Sequence, residues 1–197
     1  MIVAIELDLV DRIELIKDKK DLEKHNPLLK RPAFITADGL PIIDSPVICE
    51  YLDSLVGGRL IPPSGNARWK ALTQEALADG VMEAITAIRA DRAFHAGQES
   101  QDWYDRQALK ITQGLDAFDA QAVSGDLQAP ITIGQITVAV LCDYIDFLFP
   151  ECDWRSGRSA LATWHQEFSK RPSMIATQPK QPPGRVSALT PPATEAG

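Results

Sequence analysis

The sequence predicts a two-part α+β chain, a short N-terminal unit of alternating strands and helices followed by an all-helical bundle. Three observations predict it. The apolar runs Ala33-Phe34-Ile35-Thr36 and Leu40-Pro41-Ile42-Ile43 flank Ala37-Asp38-Gly39, an acidic-glycine turn of the kind that joins hairpin strands. Leu60 to Gly65 is rich in proline and glycine, which punctuates structure. Beyond it the apolar pattern becomes wholly helical in period.

Taken in order, Ile2, Val3, Ile5, Leu7 and Leu9 suit the end of a helix packed on a sheet, and Ile13, Leu15 and Ile16 read as a strand. Asp21 to His25 can form a helical turn that Asn26-Pro27 stops. After the hairpin, Ser45-Pro46 reads as an N-cap followed by proline at the first helical position, opening a helix that runs to Leu55 and ends at Gly57-Gly58. In the second part Ala78, Val81, Met82, Ile85 and Ile88 form one stripe, and Tyr104, Ala108, Ile111, Leu115, Phe118 and Ala122 another. Thr132-Ile133-Gly134-Gln135 is a capping box before a helix apolar on nearly every face, which ends at Pro150. A last helix, about Ser159 to Lys170, presents Leu161, Trp164 and Phe168. The expected partition is therefore residues 1–60, a linker at 61–65, a helical domain at 66–178 and a proline-rich, disordered tail at 179–197.

Composition narrows the partners. With 197 residues and 45% hydrophobic content the chain can build a real core. A net charge of -7 argues against nucleic acid or an anionic membrane surface, both of which need a basic footprint. Cys49, Cys142 and Cys152 are too few and too scattered for a disulfide framework or a zinc site, so no metal is expected and a reducing, cytoplasmic setting is. No secretory leader is read at the start. The longest apolar run, Ile136 to Phe149, contains Asp143 and Asp146 and is too short to span a bilayer.

Two short segments can carry chemistry. Arg31-Pro32, between a loop and a strand, is a natural place for a cis peptide, whose flanking backbone could pair with an extended ligand; an ordinary trans turn proline is the plainer alternative. Asp44-Ser45 offers a hydroxyl and free amides at a helix start, an anion site favoured by the dipole, or else a residue that only caps its own helix. Cys49 and Cys142 read as small core residues, and no histidine has a partner at dyad spacing.

In combination, Asn26-Pro27-Leu28-Leu29-Lys30-Arg31-Pro32-Ala33-Phe34, Asp38-Gly39 and Asp44-Ser45-Pro46-Val47-Ile48-Cys49-Glu50-Tyr51-Leu52 resemble the glutathione S-transferase family, bacterial type. The capping box and Phe168 with Arg171-Pro172-Ser173 extend the likeness. The resemblance implies a thioredoxin-like domain, here incomplete, and an all-α C-terminal domain. It also implies that Pro32 is the family's cis-proline and that Arg31 pairs its backbone with the cysteinyl part of glutathione. Asp44 and Ser45 would receive the γ-glutamyl group, and Lys30 would lie near the glycine carboxylate. Three positions depart from the pattern: Leu29 stands for a common glycine, Arg31 for an apolar residue and Gln135 for the usual aspartate. Met1 to Leu9 matches only the later part of the family's first helix, so the strand and helix start that bring the thiolate-stabilising residue find no counterpart, and no catalytic residue is assigned. Either the true start lies upstream or the chain is a non-catalytic binding or interaction module. The expected activity, with that segment restored, is conjugation of glutathione to small hydrophobic electrophiles, a detoxification reaction, by a homodimer.

Overall fold

Residues 1–16, 19–94, 100–128 and 130–179 are described by a computed structural model. A first helix, α1 (Ile2–Glu6), turns the buried side chains of Val3 and Ala4 inward. After a single 3-10 turn at Val10–Arg12 the chain passes through α2 (Lys19–His25) to a hairpin of β1 (Phe34–Ile35) and β2 (Pro41–Ile42), paired antiparallel with Phe34 opposite Ile42. Helix α3 (Ser45–Ser54) closes this unit. Its core joins Leu7, Ile42, Ile48 and Leu52 to Leu60 and Ile61.

The helical part has α4 (Gly65–Phe94), α5 (Gln101–Ser124), α6 (Ile133–Leu148), α7 (Ser159–Phe168) and α8 (Pro172–Thr177). Helix α6 is central, with Val138, Ala139, Leu141 and Cys142 fully buried. It packs mainly on α4, and the approach is close because position 134 is glycine: a Cβ there would lie 2.7 Å from the Ala71 carbonyl oxygen. The capping box forms, Thr132 N donating to Gln135 Oε1 at 2.7 Å. Gln135 also donates through Nε2 to the Gln128 carbonyl at 2.6 Å, a second bond that an aspartate could not make.

The start of the segment read as a linker is tied down by hydrogen bonds. Asp53, 2% exposed, accepts from the backbone N–H groups of Arg59, Leu60 and Ile61 at 2.8, 2.8 and 2.9 Å. The Leu60 carbonyl then accepts from Ile133 N, the first residue of α6, at 3.0 Å.

Four expectations are corrected. Ile13, Leu15 and Ile16 do not form a strand: the backbone is extended at Ile13, but the described sheet is the hairpin alone and offers no ladder, and Leu15 and Ile16 stay exposed. Asp44, not Ser45, is the N-cap of α3, its carboxylate accepting from Ser45 N at 2.6 Å, so that Pro46 takes the second helical position. Gly65 belongs to α4 rather than to the linker. The last helix ends at Phe168, and Pro172 starts a further short one, α8, where its missing N–H costs nothing. The tail from residue 180 onward lies outside the described residues, as does His95.

Candidate functional site between the two units

The loop that brings Lys30, Arg31 and Pro32 to the surface is bolted by one buried side chain. Asn26, 3% exposed, accepts from Leu28 N at 2.9 Å and donates to the Lys30 carbonyl at 2.7 Å. Between those bonds Leu29 adopts φ +55°, the left-handed region in which glycine is the easy residue. The departure from the family's glycine noted at this position therefore has a conformational meaning. The Arg31–Pro32 peptide is cis.

A cavity of about 380 Å³ opens where the two units meet. Pro32 and Ser45 line it from the N-terminal unit, together with Ile48, Cys49 and Leu52 of α3. Met82, Ile133, Ile136 and Val140 face them from α4 and α6. Of the five residues expected to hold a ligand, these two meet in the cavity. Lys30, Arg31 and Asp44 are exposed and do not line it. Ser45 stands at the first position of α3, where its amide is already taken by Asp44, while its hydroxyl lies 3.4 Å from the Asp44 carboxylate.

Two carboxylates that sequence reasoning missed occupy the α4 wall, Glu75 and Asp79, one turn apart. Glu75 is 6% exposed. Burial pushes its pKa up to about 7, with Asp79 and Glu50 adding to the rise, and burial together with Asp44 and Glu83 raises Asp79 as well. A signal for Glu75 was present: it falls between Ala71 and Ala78 on the buried face of α4, where the period calls for an apolar residue. Cys49, beside them, is held as a thiol, its pKa pushed up to about 11 by burial and then by Glu75. It is therefore no nucleophile at neutral pH.

Asp143, Asp146 and His165 also cluster, within 4.8 Å of one another. Their bonding capacity is turned inward: His165 Nε2 meets Asp143 at 2.8 Å, and Asp146 holds Arg155 through both oxygens and accepts from Trp154 Nε1. Arg155 supplies the positive charge that a metal would bring. No helix among the described residues is long and apolar enough to cross a membrane.

This arrangement, a cis-proline loop and a capped helix start facing a helical bundle across a cleft, defines a class, and sequence comparison identifies it. Models of the glutathione S-transferase N-terminal and C-terminal domains match residues 1–55 and 101–167. The GST-like protein YibF of Escherichia coli K12 is 32% identical over 157 residues, 78% of this chain and 77% of that protein. The chain belongs to the glutathione S-transferase family. Among solved structures, a family member from Pseudomonas fluorescens Pf-5 with bound glutathione is similar at 38% identity and a TM-score of 0.82, covering 90% of this chain and 91% of that one. A glutathione S-transferase from Methylobacillus flagellatus with bound glutathione is similar at 29% identity and a TM-score of 0.80, with the same coverage. The fold is accordingly a thioredoxin-like α/β unit followed by an all-α domain.

Proposed function

We propose that this chain binds glutathione along the rim formed by Lys30, Arg31, Pro32, Asp44 and Ser45, and presents its thiol to a small hydrophobic electrophile in the cleft. The observation that carries this reading is the meeting of Pro32 and Ser45 in one cavity between the two units. In this reading the Arg31 backbone pairs with the cysteinyl residue, and the Ser45 hydroxyl at the positive end of α3 takes the γ-glutamyl carboxylate. Lys30, exposed at the rim, serves the glycine carboxylate. Relatives of this sequence in Pseudomonas fluorescens and Methylobacillus flagellatus carry glutathione in their structures, which supports the assignment. The proposed division is a glutathione-binding domain over residues 1–60 and a helical domain up to residue 178 that takes in Gly65 as the first residue of α4, joined at 61–64, in a cytoplasmic homodimer acting in detoxification.

One observation favours a second reading, a glutathione-binding module without turnover. Forming a thiolate in this cavity would add negative charge beside the carboxyl groups of Glu75 and Asp79, which opposes ionisation. Titration calorimetry with glutathione, paired with a conjugation assay on a chloronitrobenzene, separates the two. Binding with turnover supports the transferase, binding without it supports the module, and absence of binding removes both. Ser45→Ala should weaken binding by about tenfold, or about 1.4 kcal/mol.

A further inference from the structure

Glu75 is the most buried unpaired carboxylate of the cleft: 6% exposed, lining the cavity, and without a hydrogen-bond or ion-pair partner among the described residues. Asp79, one turn further along α4, lines the same cavity and is equally unpartnered. None of the lining side chains is cationic. The amino group of Met1 is close enough to favour the Cys49 thiolate, yet it forms no ion pair with either carboxylate. The remaining lining is dominated by Ile48, Leu52, Met82, Ile136 and Val140.

We propose that the α4 wall of this cavity is a subsite for an amphiphilic organic cation, a ligand with an ammonium or guanidinium head and a short apolar body. A buried carboxylate without a partner is costly, and a cation that donates hydrogen bonds to it while being desolvated by the same apolar walls removes that cost. Two carboxylates one helical turn apart suit a single head with several donors. Burial keeps Glu75 partly protonated near neutral pH, so the subsite is fully charged only above its pKa of about 7. Glutathione itself is a poor match for this wall, because it carries two carboxylates for one ammonium. A neutral apolar electrophile satisfies the aliphatic lining but leaves both carboxylates bare.

The inference is independent of glutathione binding, and its test omits glutathione. Hexylammonium and 1-hexanol, alike in apolar body and different in charge, are titrated into the full chain by calorimetry at pH 8 and low salt. The expected result is binding of hexylammonium at least about tenfold tighter than hexanol, with the ratio falling to within about threefold in Glu75→Gln. Hexanol affinity retained by that variant shows that the cavity persists. Asp79→Asn, at a less buried position, should also lower the ratio and serves if Glu75→Gln does not fold. Equal affinities in the unmodified chain, or a preference that survives both substitutions, would overturn the proposal.

Discussion

Glu6 and Arg171, 165 positions apart in the sequence, form a two-pronged pair at 2.9 and 2.6 Å that ties the first helix to the residue preceding the last. The Ser173 hydroxyl donates to the same carboxylate. One bidentate pair thus joins the thioredoxin-like unit to the end of the bundle. Arg171 also stacks over the Phe168 ring at 5.5 Å.

Removing that tie should be felt globally. Arg171→Ala leaves a largely buried carboxylate with one hydroxyl for company, and an expected loss of about 1–3 kcal/mol is measurable by chemical denaturation. The pH dependence has a definite sign. The Arg171 hydrogen bond holds Glu6 below the ordinary carboxylate pKa of 4.5, so its contribution is present above that value and disappears as pH falls through the depressed one. An acid-denaturation midpoint unchanged by Arg171→Ala would refute the assignment.

Glu75 acts in the opposite direction. Its folded pKa of about 7 lies above the ordinary 4.5, so the folded state keeps a proton that the unfolded state gives up, and stability declines between those two values. The full shift would correspond to more than 3 kcal/mol, but the carboxylate looks into an open cavity, and about 2 kcal/mol is the discounted expectation. Glu75→Gln should therefore gain stability relative to the unmodified chain at pH 8 and lose that advantage near pH 4. A difference independent of pH would show that folding does not raise the Glu75 pKa.

At Leu29 two effects compete. The left-handed backbone costs a branched residue about 1–2 kcal/mol, whereas glycine adds about 0.5–1 kcal/mol of unfolded-state entropy. The strain is the larger, and the side chain is 60% exposed, so little packing is forfeited. Leu29→Gly should raise stability by about 0.5–1 kcal/mol in thermal or denaturant unfolding. A loss would show that the backbone strain at this position is smaller than the entropy cost of glycine.

Asp53→Ala strips the acceptor from three backbone amides at once and should cost roughly 2–4 kcal/mol. Hydrogen exchange is the sharper measurement, with residues 59 to 61 expected to lose protection before the bundle does. Protection unchanged at those amides would show that Asp53 is dispensable.

The features legible in the sequence were those written in neighbouring residues. The Asp38-Gly39 hairpin, the Thr132–Gln135 box and the amphipathic stripes each depend on a few adjacent side chains, and each formed. Arg31-Pro32 needed its wider context, because the dipeptide alone favours trans. Side chains that bind nearby backbone stayed hidden all the same: Asn26 meets residues 28 and 30 and Asp53 meets residues 59 to 61, and nothing in the local pattern says which backbone groups they will take. The Ile13 to Ile16 segment shows the converse: strand-like residues do not make a strand without a neighbour. In the site, the resemblance named Pro32 and Ser45; Glu75 was marked by its place on the buried stripe of α4, but that this stripe faces them across the cavity came from the fold.

The strap that begins at Asp53 and ends at Ile133 ties the end of α3 to the start of α6 beside the cleft. Because the same few bonds secure α3 and the start of α6, the walls that carry Ser45 and Ile136 are held in register before any ligand arrives. If these bonds persist when a guest enters, selection is expected to fall to girth and charge, as in a gauge with rigid jaws, and unchanged hydrogen exchange at residues 59 to 61 on adding a ligand is the check.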